Sequence, residues 1–261
     1  MTTTQTHRLT DLERQTYDAE GFVLRRDVFT PAEVARIVDD CEGLVDDLVA
    51  RRRAGRQTYG SYTFEEVNDI AVTVKWEGDT DVVHGVEPFA HYWPSLQQWA
   101  MDPRFVDPMR DLCADDAPIL YTEKLNLKRP FRGGVNPLHQ DYPYWTAYSD
   151  DVARIHTAML FLDSSTRENG CLEVVPASHR LGLQPMREDK DPFGNLEMDP
   201  TPFEGAELVP IEVAAGAVLY FGPLLVHKSE PNTSSKERRA LLFSYQPAGC
   251  RQLIDFFPPK R

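Results

Sequence analysis

The feature that most constrains the fold of this chain is a change of pattern near residue 119. From Ile119 onward, short apolar and β-branched runs alternate with turns rich in Pro, Gly and Asn. Because no helical pattern separates these runs, the strands that they predict pair antiparallel. The candidate strands are ILYTEKLNLK, ARIHTAMLFLD, CLEVVP, LVPIEV, AVLYF and RRALLFSYQ. This arrangement predicts an antiparallel sandwich or barrel over residues 116–250.

Residues 1–115 are predicted to be mainly helical and to support and cap the β core. Capping boxes at Thr10 and Thr30 predict two helix starts, and Gly55 is expected to end the second helix. A length of 261 residues accommodates all of this in one domain. The segment 183–207 is rich in Asp, Glu, Pro and Gly and lacks apolar periodicity. Since so long an unstructured run inside a domain is usually either a functional lid or disordered, we predict a lid and keep disorder as the alternative.

Composition excludes several classes of function. The formal net charge of −13 argues against nucleic-acid binding, which needs clustered Lys and Arg. No apolar run approaches the length that crosses a bilayer, and the N-terminus does not resemble a secretory signal, so a cytoplasmic location is expected. The four cysteines form no CxxC pair, which predicts free and mostly buried thiols.

The segment PLHQDYPYW contains a candidate metal site. In an extended chain, residues two apart project to the same side, so His139 and Asp141 can bind one ion together. An imidazole with a carboxylate suits Fe(II) or Mn(II) better than an all-thiolate zinc site does. A second histidine would complete the facial triad that leaves coordination positions open for substrate and O2. HxD alone is a weak signal, so the interpretation depends on the third ligand.

His227 is the candidate third ligand. It ends an apolar run, where a lone histidine is more often a core or turn residue than a ligand. After a polar turn the chain returns as RRALLFSYQ, in which Arg238 and Arg239 point to opposite faces. Only one of them can face the barrel interior, where a buried arginine needs an anionic partner. A dicarboxylate co-substrate would supply that partner in bidentate geometry.

Three segments, in this order, resemble the phytanoyl-CoA dioxygenase family of non-haem Fe(II)/2-oxoglutarate oxygenases. They are PLHQDYPYW, HTAMLFLDSSTRENGCLEVVPASHR and VHKSEPNTSSKERRALLFSYQPA, and they span about half of the chain. The resemblance implies a mainly β (α+β) class with a double-stranded β-helix core, the cupin-like jelly roll, and flanking helices. The N-terminal half is similar only loosely.

The same resemblance implies roles for individual residues. It assigns Fe(II) to His139, Asp141 and His227. It assigns the far carboxylate of 2-oxoglutarate to Arg238, and Arg239 becomes its structural neighbour. Further contacts with the co-substrate are expected from Ser229, His156, Lys124 and Asn126.

The expected reaction is hydroxylation, or another oxidation by C–H abstraction, of a small organic molecule with O2. Tyr142, Tyr144 and Trp145 follow the ligands directly, so at least one should contact the substrate, although each could be a core aromatic. Such an aromatic site fits a natural-product intermediate. Oligomeric state stays open. The alternatives are a cupin-type dioxygenase or metal hydrolase without 2-oxoglutarate, and a non-catalytic jelly-roll binding protein.

Overall fold

The computed structural model describes residues 6–51, 57–59, 62–67, 69–78, 80–187 and 198–259. Capping side chains determine where the first two helices begin. The helices are α1 (Asp11–Glu20), α2 (Pro31–Ala50), α3 (Pro94–Ala100), α4 (Pro103–Leu112) and α5 (Tyr142–Trp145). The capping boxes predicted at Thr10 and Thr30 are present. Helix α1 ends at Gly21 in the left-handed region (φ 86°). Helix α2 ends at Ala50, short of Gly55, which lies outside the described residues.

The strands form two antiparallel sheets. They are β1 (Phe22–Arg25), β2 (Gln57–Tyr59), β3 (Tyr62–Val67), β4 (Val72–Glu77), β5 (Val83–Glu87), β6 (Ile119–Lys128), β7 (Asn136–His139), β8 (His156–Phe161), β9 (Leu172–Val174), β10 (Val209–Pro210), β11 (Val218–Phe221), β12 (His227–Ser229) and β13 (Arg238–Gln246). Within the described part of the chain, a nine-stranded major sheet has the order β1-β11-β8-β13-β6-β5-β4-β3-β2. A four-stranded minor sheet has the order β10-β9-β12-β7. These sheets confirm the predicted jelly-roll core.

The two faces of the major sheet pack against different layers, the minor sheet on the inner face and the helices on the outer face. Its inner face packs against the minor sheet, through a core that includes Met159, Phe161 and Val174. Its outer face carries Leu241 and Phe243 and packs against α2 and α4. Because side chains alternate along a strand, every residue of β6, β8 or β13 belongs to one face or the other. This assignment decides which of the predicted residues can reach the site.

The N-terminal half is less helical than predicted. Helices α1–α4 are there, but β2–β5 extend the major sheet beyond β6. In β4, Val72, Val74 and Trp76 are buried and the residues between them are half-buried. This two-residue alternation is typical of a strand. The helical prediction is therefore wrong for residues 57–87, because caps on the neighbouring helices carry no information about the alternation between them.

The described part of the predicted lid lies behind the site rather than over it. Met198 and Phe203 pack with Leu138 and Val226 in a small apolar cluster. Leu138 and Val226 directly precede the two candidate histidine ligands, so they point to the opposite face of the minor sheet. Residues 188–197 lie outside the described residues. The described residues of the segment pack through a few isolated apolar side chains, which is why their sequence has no apolar periodicity.

Other expectations concern thiols and the membrane. The four cysteines are free, and Cys41, Cys113 and Cys171 are buried, as predicted. Among the described residues, no helix combines the length and apolar character that spanning a bilayer requires.

A buried carboxyl ties the loop after β5 to β6. Glu123 Oε1 accepts hydrogen bonds from the amides of Phe89 and Ala90, both at 2.5 Å. The Glu123 side chain is 4% exposed. Burial raises the pKa of Glu123 to about 7, although the two amide hydrogen bonds act in the opposite direction.

We expect the Glu123→Gln variant to lose a pH dependence of stability that the wild type has. The pKa of this carboxyl rises from its ordinary value of 4.5 to about 7 on folding. The protonated carboxyl therefore contributes fully to the free energy of unfolding below pH 4.5, and this contribution is lost as the pH rises through 7. Glutamine presents an uncharged oxygen to the same two amides. The variant should therefore gain about 3 kcal/mol over the wild type between pH 4.5 and pH 8. Urea unfolding at both pH values measures this difference, with Glu204→Gln at an exposed position as the control. Parallel pH profiles would contradict it.

Candidate active site

Strand pairing brings the three candidate metal ligands together. His139 ends β7 and lies directly opposite His227, which begins β12. Directly opposed residues of an antiparallel pair share a face, so the two rings lie side by side with centroids 4.1 Å apart. Asp141 follows two residues later, at the start of α5. Its Oδ1 lies 3.7 Å from His139 Nε2 and 3.9 Å from His227 Nε2.

Hydrogen bonds select the ring nitrogen that each histidine presents to a metal. His139 Nδ1 lies 2.7 Å from the Pro137 carbonyl oxygen, and His227 Nδ1 lies 2.9 Å from that of Leu225. A carbonyl only accepts, so each Nδ1 carries the proton and each Nε2 keeps its lone pair. One ligand atom from each histidine and from Asp141 lies within 4.8 Å of the others. The arrangement is a two-histidine, one-carboxylate donor set facing one point.

The residue between the first two ligands holds the local backbone. Gln140 is buried, and its amide nitrogen donates to the carbonyls of Gly182, at 3.0 Å, and Leu224, at 2.7 Å. Its amide oxygen accepts from the Gln184 backbone at 2.9 Å. The start of segment 183–207 is thereby tied to the metal-binding strand.

Burial keeps His139 in the form that a metal needs. It lowers the pKa of His139 well below 6.5, and the neighbouring His227 and the lysines Lys124 and Lys75 lower it further. The ring is therefore neutral at pH 7, so a metal ion does not have to displace a proton from Nε2.

Arg238 is a buried cation that has no partner among the described residues. It begins β13 on the inner face, opposite Lys128 of β6, and it is 3% exposed. Among the described residues, its guanidinium makes no hydrogen bond or ion pair, and its Nε is buried and unsatisfied. Burial lowers the pKa of Arg238 to about 10. A guanidinium in this condition requires an anion that the protein itself does not provide.

Arg239 points the other way and is fully paired. It donates to both carboxylate oxygens of Asp163, at 2.8 and 2.9 Å, and to Glu42 of α2 at 2.9 Å. These contacts agree with the structural role predicted for Arg239, because they join β13 to the helix layer.

Three of the predicted co-substrate residues lie on the inner faces of the sheets. Ser229 is buried on β12, and its hydroxyl accepts from the Asn136 side chain at 3.2 Å. Asn126 and Lys124 lie on β6, opposite Ala240 and Leu242 of β13, both of which face inward. The Asn126 amide makes no side-chain hydrogen bond to a described residue, so its donors and acceptor are available to a ligand.

The prediction for His156 is wrong. This residue shares the face of Ala158 and Leu160, which pack against the helices, and its Nδ1 lies 2.7 Å from the Tyr17 hydroxyl of α1. Burial lowers the pKa of His156 to about 4, so the ring is neutral in the helix layer. The inward residue is Thr157, whose hydroxyl lies 2.8 Å from that of Ser244. Neighbouring residues of a strand point to opposite faces, and the resemblance that suggested His156 did not determine which face it occupies.

The three aromatics after the ligands divide between core and surface. Trp145 is 8% exposed and packs edge-to-face on Tyr121, with ring centroids 5.6 Å apart. Tyr142 packs partly against the same cluster. Tyr144 is 38% exposed, and its ring lies 6.2 Å from that of His139. Of the three, Tyr144 is the residue placed to meet a molecule that approaches the metal site.

Stability measurements can test this division. Trp145→Ala should lower the free energy of unfolding by about 3–5 kcal/mol, because it empties a buried aromatic site. Tyr144→Ala should change it by less than about 1 kcal/mol, because the side chain is already partly in solvent. Chemical denaturation of both variants measures these values. Equal losses would show that Tyr144 is also a core residue.

A cavity of about 590 Å³ lies along the inner face of β4, β5 and β6, and Lys124 is the predicted site residue that lines it. Its inner wall comes from β4, β5 and β6 and includes Thr73, Lys75, Glu87 and Lys124. Its outer wall consists of Tyr148, just after α5, and of C-terminal residues Leu253, Phe256, Phe257, Pro258 and Pro259. The volume is in the range of small-molecule sites.

Lys75 and Glu87 were not predicted as site residues. Burial, together with the nearby charge of Lys124, lowers the pKa of Lys75 to about 7. A signal was available in the alternation of Thr73, Lys75 and Glu77 with three apolar residues, which puts one polar face on β4. The C-terminal wall had no comparable signal.

Comparison with known proteins agrees with the geometry of the site. The family model described as phytanoyl-CoA dioxygenase (PhyH) matches residues 17–240. The chain is 26% identical over 259 residues to phytanoyl-CoA dioxygenase 1 of Oryza sativa subsp. japonica, covering 93% of this chain and 91% of that protein. It is 29% identical over 150 residues to dioxygenase lolE1 of Epichloe uncinata, covering 53% of this chain and 54% of that protein.

The fold is shared with solved structures. That of EctD from S. alaskensis with 2-oxoglutarate and 5-hydroxyectoine superimposes with a TM-score of 0.74 at 20% identity, covering 97% of this chain and 80% of that chain. The chain spans about half the length of several curated relatives that it matches. From the match over residues 17–240, the chain belongs to the phytanoyl-CoA dioxygenase family.

Proposed function

We propose that this protein is an Fe(II)- and 2-oxoglutarate-dependent oxygenase of the cytoplasm that oxidises a C–H bond of a small organic molecule with O2. The observation that carries the proposal is Arg238, a buried guanidinium to which no described residue provides a partner, on the inner side that the candidate ligands also face. A dianionic co-substrate would provide the missing anion. Relatives named as dioxygenases support the proposal, as do the structures of EctD with Fe and with 2-oxoglutarate.

The donor set fits ferrous iron. His139 and His227 present Nε2 lone pairs, Asp141 adds a carboxylate oxygen, and these three leave other coordination positions free. No thiolate is among the candidate donors, which disfavours a structural zinc site. Bound there together, Fe(II) and 2-oxoglutarate would activate O2 for C–H oxidation, with release of succinate and CO2.

The chain's own residues would bind and orient the co-substrate. Arg238 would hold its far carboxylate through two parallel N–H donors, in the geometry that guanidinium and carboxylate prefer. Ser229 and Asn126 would add a hydroxyl and an amide from the neighbouring strands. Lys128 lies opposite Arg238 in the register of β6 and β13. Its ammonium donates to the backbone carbonyls of Gly134 and Glu230 and so holds this end of the barrel closed.

Anaerobic spectroscopy tests the proposal. Fe(II) and then 2-oxoglutarate are added to metal-free protein, and a weak charge-transfer band in the visible region is expected when the keto acid chelates iron. The band should be absent in His139→Ala. If iron binds to the wild type without producing the band, the co-substrate assignment is wrong, and a cupin-type enzyme without 2-oxoglutarate becomes the better interpretation. If neither iron nor keto acid binds, the site itself is misassigned.

A further inference from the structure

Residues 253–259, here called the C-terminal wall, are held on the barrel by specific contacts. Gln252 donates to the Leu120 carbonyl of β6 at 2.8 Å and forms a capping box with Asp255. Leu253 packs against the cluster that contains Tyr121 and Trp145. Gln246, the last residue of β13, donates to the Arg251 carbonyl at 2.7 Å and fixes the turn that leads into the wall. The segment is therefore built into the cavity and is not a loose tail.

The C-terminal wall presents aromatic surface to the cavity. Phe256 and Phe257 pack edge-to-face on Tyr148, with ring centroids 5.4 and 5.2 Å apart. The Arg251 guanidinium lies 3.9 Å from the centre of the Phe256 ring and supports it from behind the cavity lining. Phe257 is 45% exposed even though it makes these contacts. Rings held in place but left partly uncovered are suited to the apolar body of a ligand.

On the opposite wall, the Lys124 ammonium has N–H donors left for a ligand. The Lys124 side chain is 45% exposed, although β6 is an interior strand, because its end lies in the cavity. Its ammonium lies 3.4 Å from Glu87 Oε2, and Glu87 is its one ion-pair partner among the described residues. Glu87 Oε1 is already engaged by the Thr122 hydroxyl at 3.1 Å. An ammonium has three donors and no acceptor, so the position favours an anionic group on the ligand over a cationic one.

Lys124 also connects the cavity with the metal site. The carboxylate of Glu87 raises the pKa of Lys124, and that of Asp141 raises it further. The ammonium lines the cavity, and its charge interacts with the carboxylate of the candidate ligand Asp141. Tyr148 makes the same connection on the outer wall, where its amide donates to the Trp145 carbonyl at 2.9 Å at the end of α5.

We propose that the C-terminal wall is part of the substrate site, and that the substrate has an apolar, ring-sized body that packs on Phe256 and Phe257 and an anionic group that pairs with Lys124. This inference rests on the proposed function, because it names the substrate class of the same site. It makes Phe256, Phe257 and Lys124 determinants of specificity.

Two probes that share their rings and differ in charge test the proposal. They are 1-anilinonaphthalene-8-sulfonate, which is anionic, and N-phenyl-1-naphthylamine, which is neutral. Fluorescence titration of metal-free wild type should show tighter binding of the anionic probe. Phe257→Ala and Phe256→Ala should weaken both probes by about tenfold, the value expected for losing one ring contact. Lys124→Gln should weaken only the anionic probe, also by about tenfold. Phe131→Ala, at a 70% exposed phenylalanine beyond the other end of β6, is the control and should change neither.

The outcomes separate this inference from the proposed function. The proposal is overturned if both phenylalanine variants bind the probes like the wild type, or if Lys124→Gln keeps the preference for the anion. It is also overturned if Lys124→Gln abolishes the visible band in iron-loaded protein, since Lys124 would then serve the co-substrate. If the band is missing in the wild type, the proposed function fails, and the probe titrations still decide whether the cavity recognises an amphiphilic anion.

Discussion

Arg238→Met should lower the affinity for 2-oxoglutarate by about a thousandfold and, in the absence of ligand, should make the protein more stable. Loss of a bidentate, charge-assisted contact in a buried site costs about 4 kcal/mol of binding free energy, which corresponds to the thousandfold loss of affinity. The second effect follows from burial of a guanidinium without a partner, which lowers the pKa of Arg238 from 12.5 to about 10. Such a shift corresponds to a cost of about 3 kcal/mol in keeping the group charged, and methionine removes that cost.

Arg239→Met is the matched control, because it removes the same charge one residue along the strand. Arg239 is paired with Asp163 and Glu42, so its loss leaves two carboxylates without their cation. We expect this variant to be less stable than the wild type by about 2–4 kcal/mol and to bind 2-oxoglutarate normally. Urea unfolding gives the stabilities, and titration of the visible band gives the affinities. Normal 2-oxoglutarate-dependent turnover in Arg238→Met would support a cupin-type enzyme that does not use the co-substrate.

Arg238→Met is expected to raise the stability of the protein and Arg239→Met to lower it. This difference reflects a general conflict between stability and function. A fold gains by giving each buried charge a partner, and β13 does so for Arg239. Arg238 has no partner among the described residues, which is expected if its partner is the co-substrate of the proposed function. Under the proposed function, binding of the dicarboxylate would recover the free energy that burial of the unpaired guanidinium costs, and the site would favour anions.

Much of the β core was predictable, because its strands have strong patterns. β6 occupies Ile119–Lys128 and β13 occupies Arg238–Gln246, the full extents of two predicted runs. In β6 the inward positions are polar and the outward leucines pack against the helix layer. A strand whose two faces differ this clearly can be placed without knowledge of its neighbours.

What could not be predicted depends on contacts between distant parts of the chain. Strands β2–β5 lie between helices and pair with one another and with β6, so their role as a cavity wall appears only when the sheet is assembled. The C-terminal wall lies beside Lys124 and Tyr148 although more than a hundred residues separate these parts of the chain. His156 shows a different limit, because its strand begins where it was expected, but the position of a strand alone does not tell which of its two faces meets the site.

His227→Ala should abolish tight Fe(II) binding and reduce turnover at least about a thousandfold, because removal of one of three ligands leaves a two-donor site. The variant should fold, since the minor sheet keeps its backbone pairing with β7 and β9. His179→Ala is the control: that histidine is half-buried, its Nε2 lies 3.3 Å from the Asp18 carbonyl, and it is not among the candidate ligands. Calorimetric titration of anaerobic Fe(II) into both variants measures the difference. If His227→Ala binds iron like the wild type while His139→Ala does not, the third ligand lies elsewhere, and the pairing of β7 with β12 serves only to bury His227. If both histidine variants lose iron and His179→Ala keeps it, the strand register that opposes His139 and His227 is what assembles the metal site.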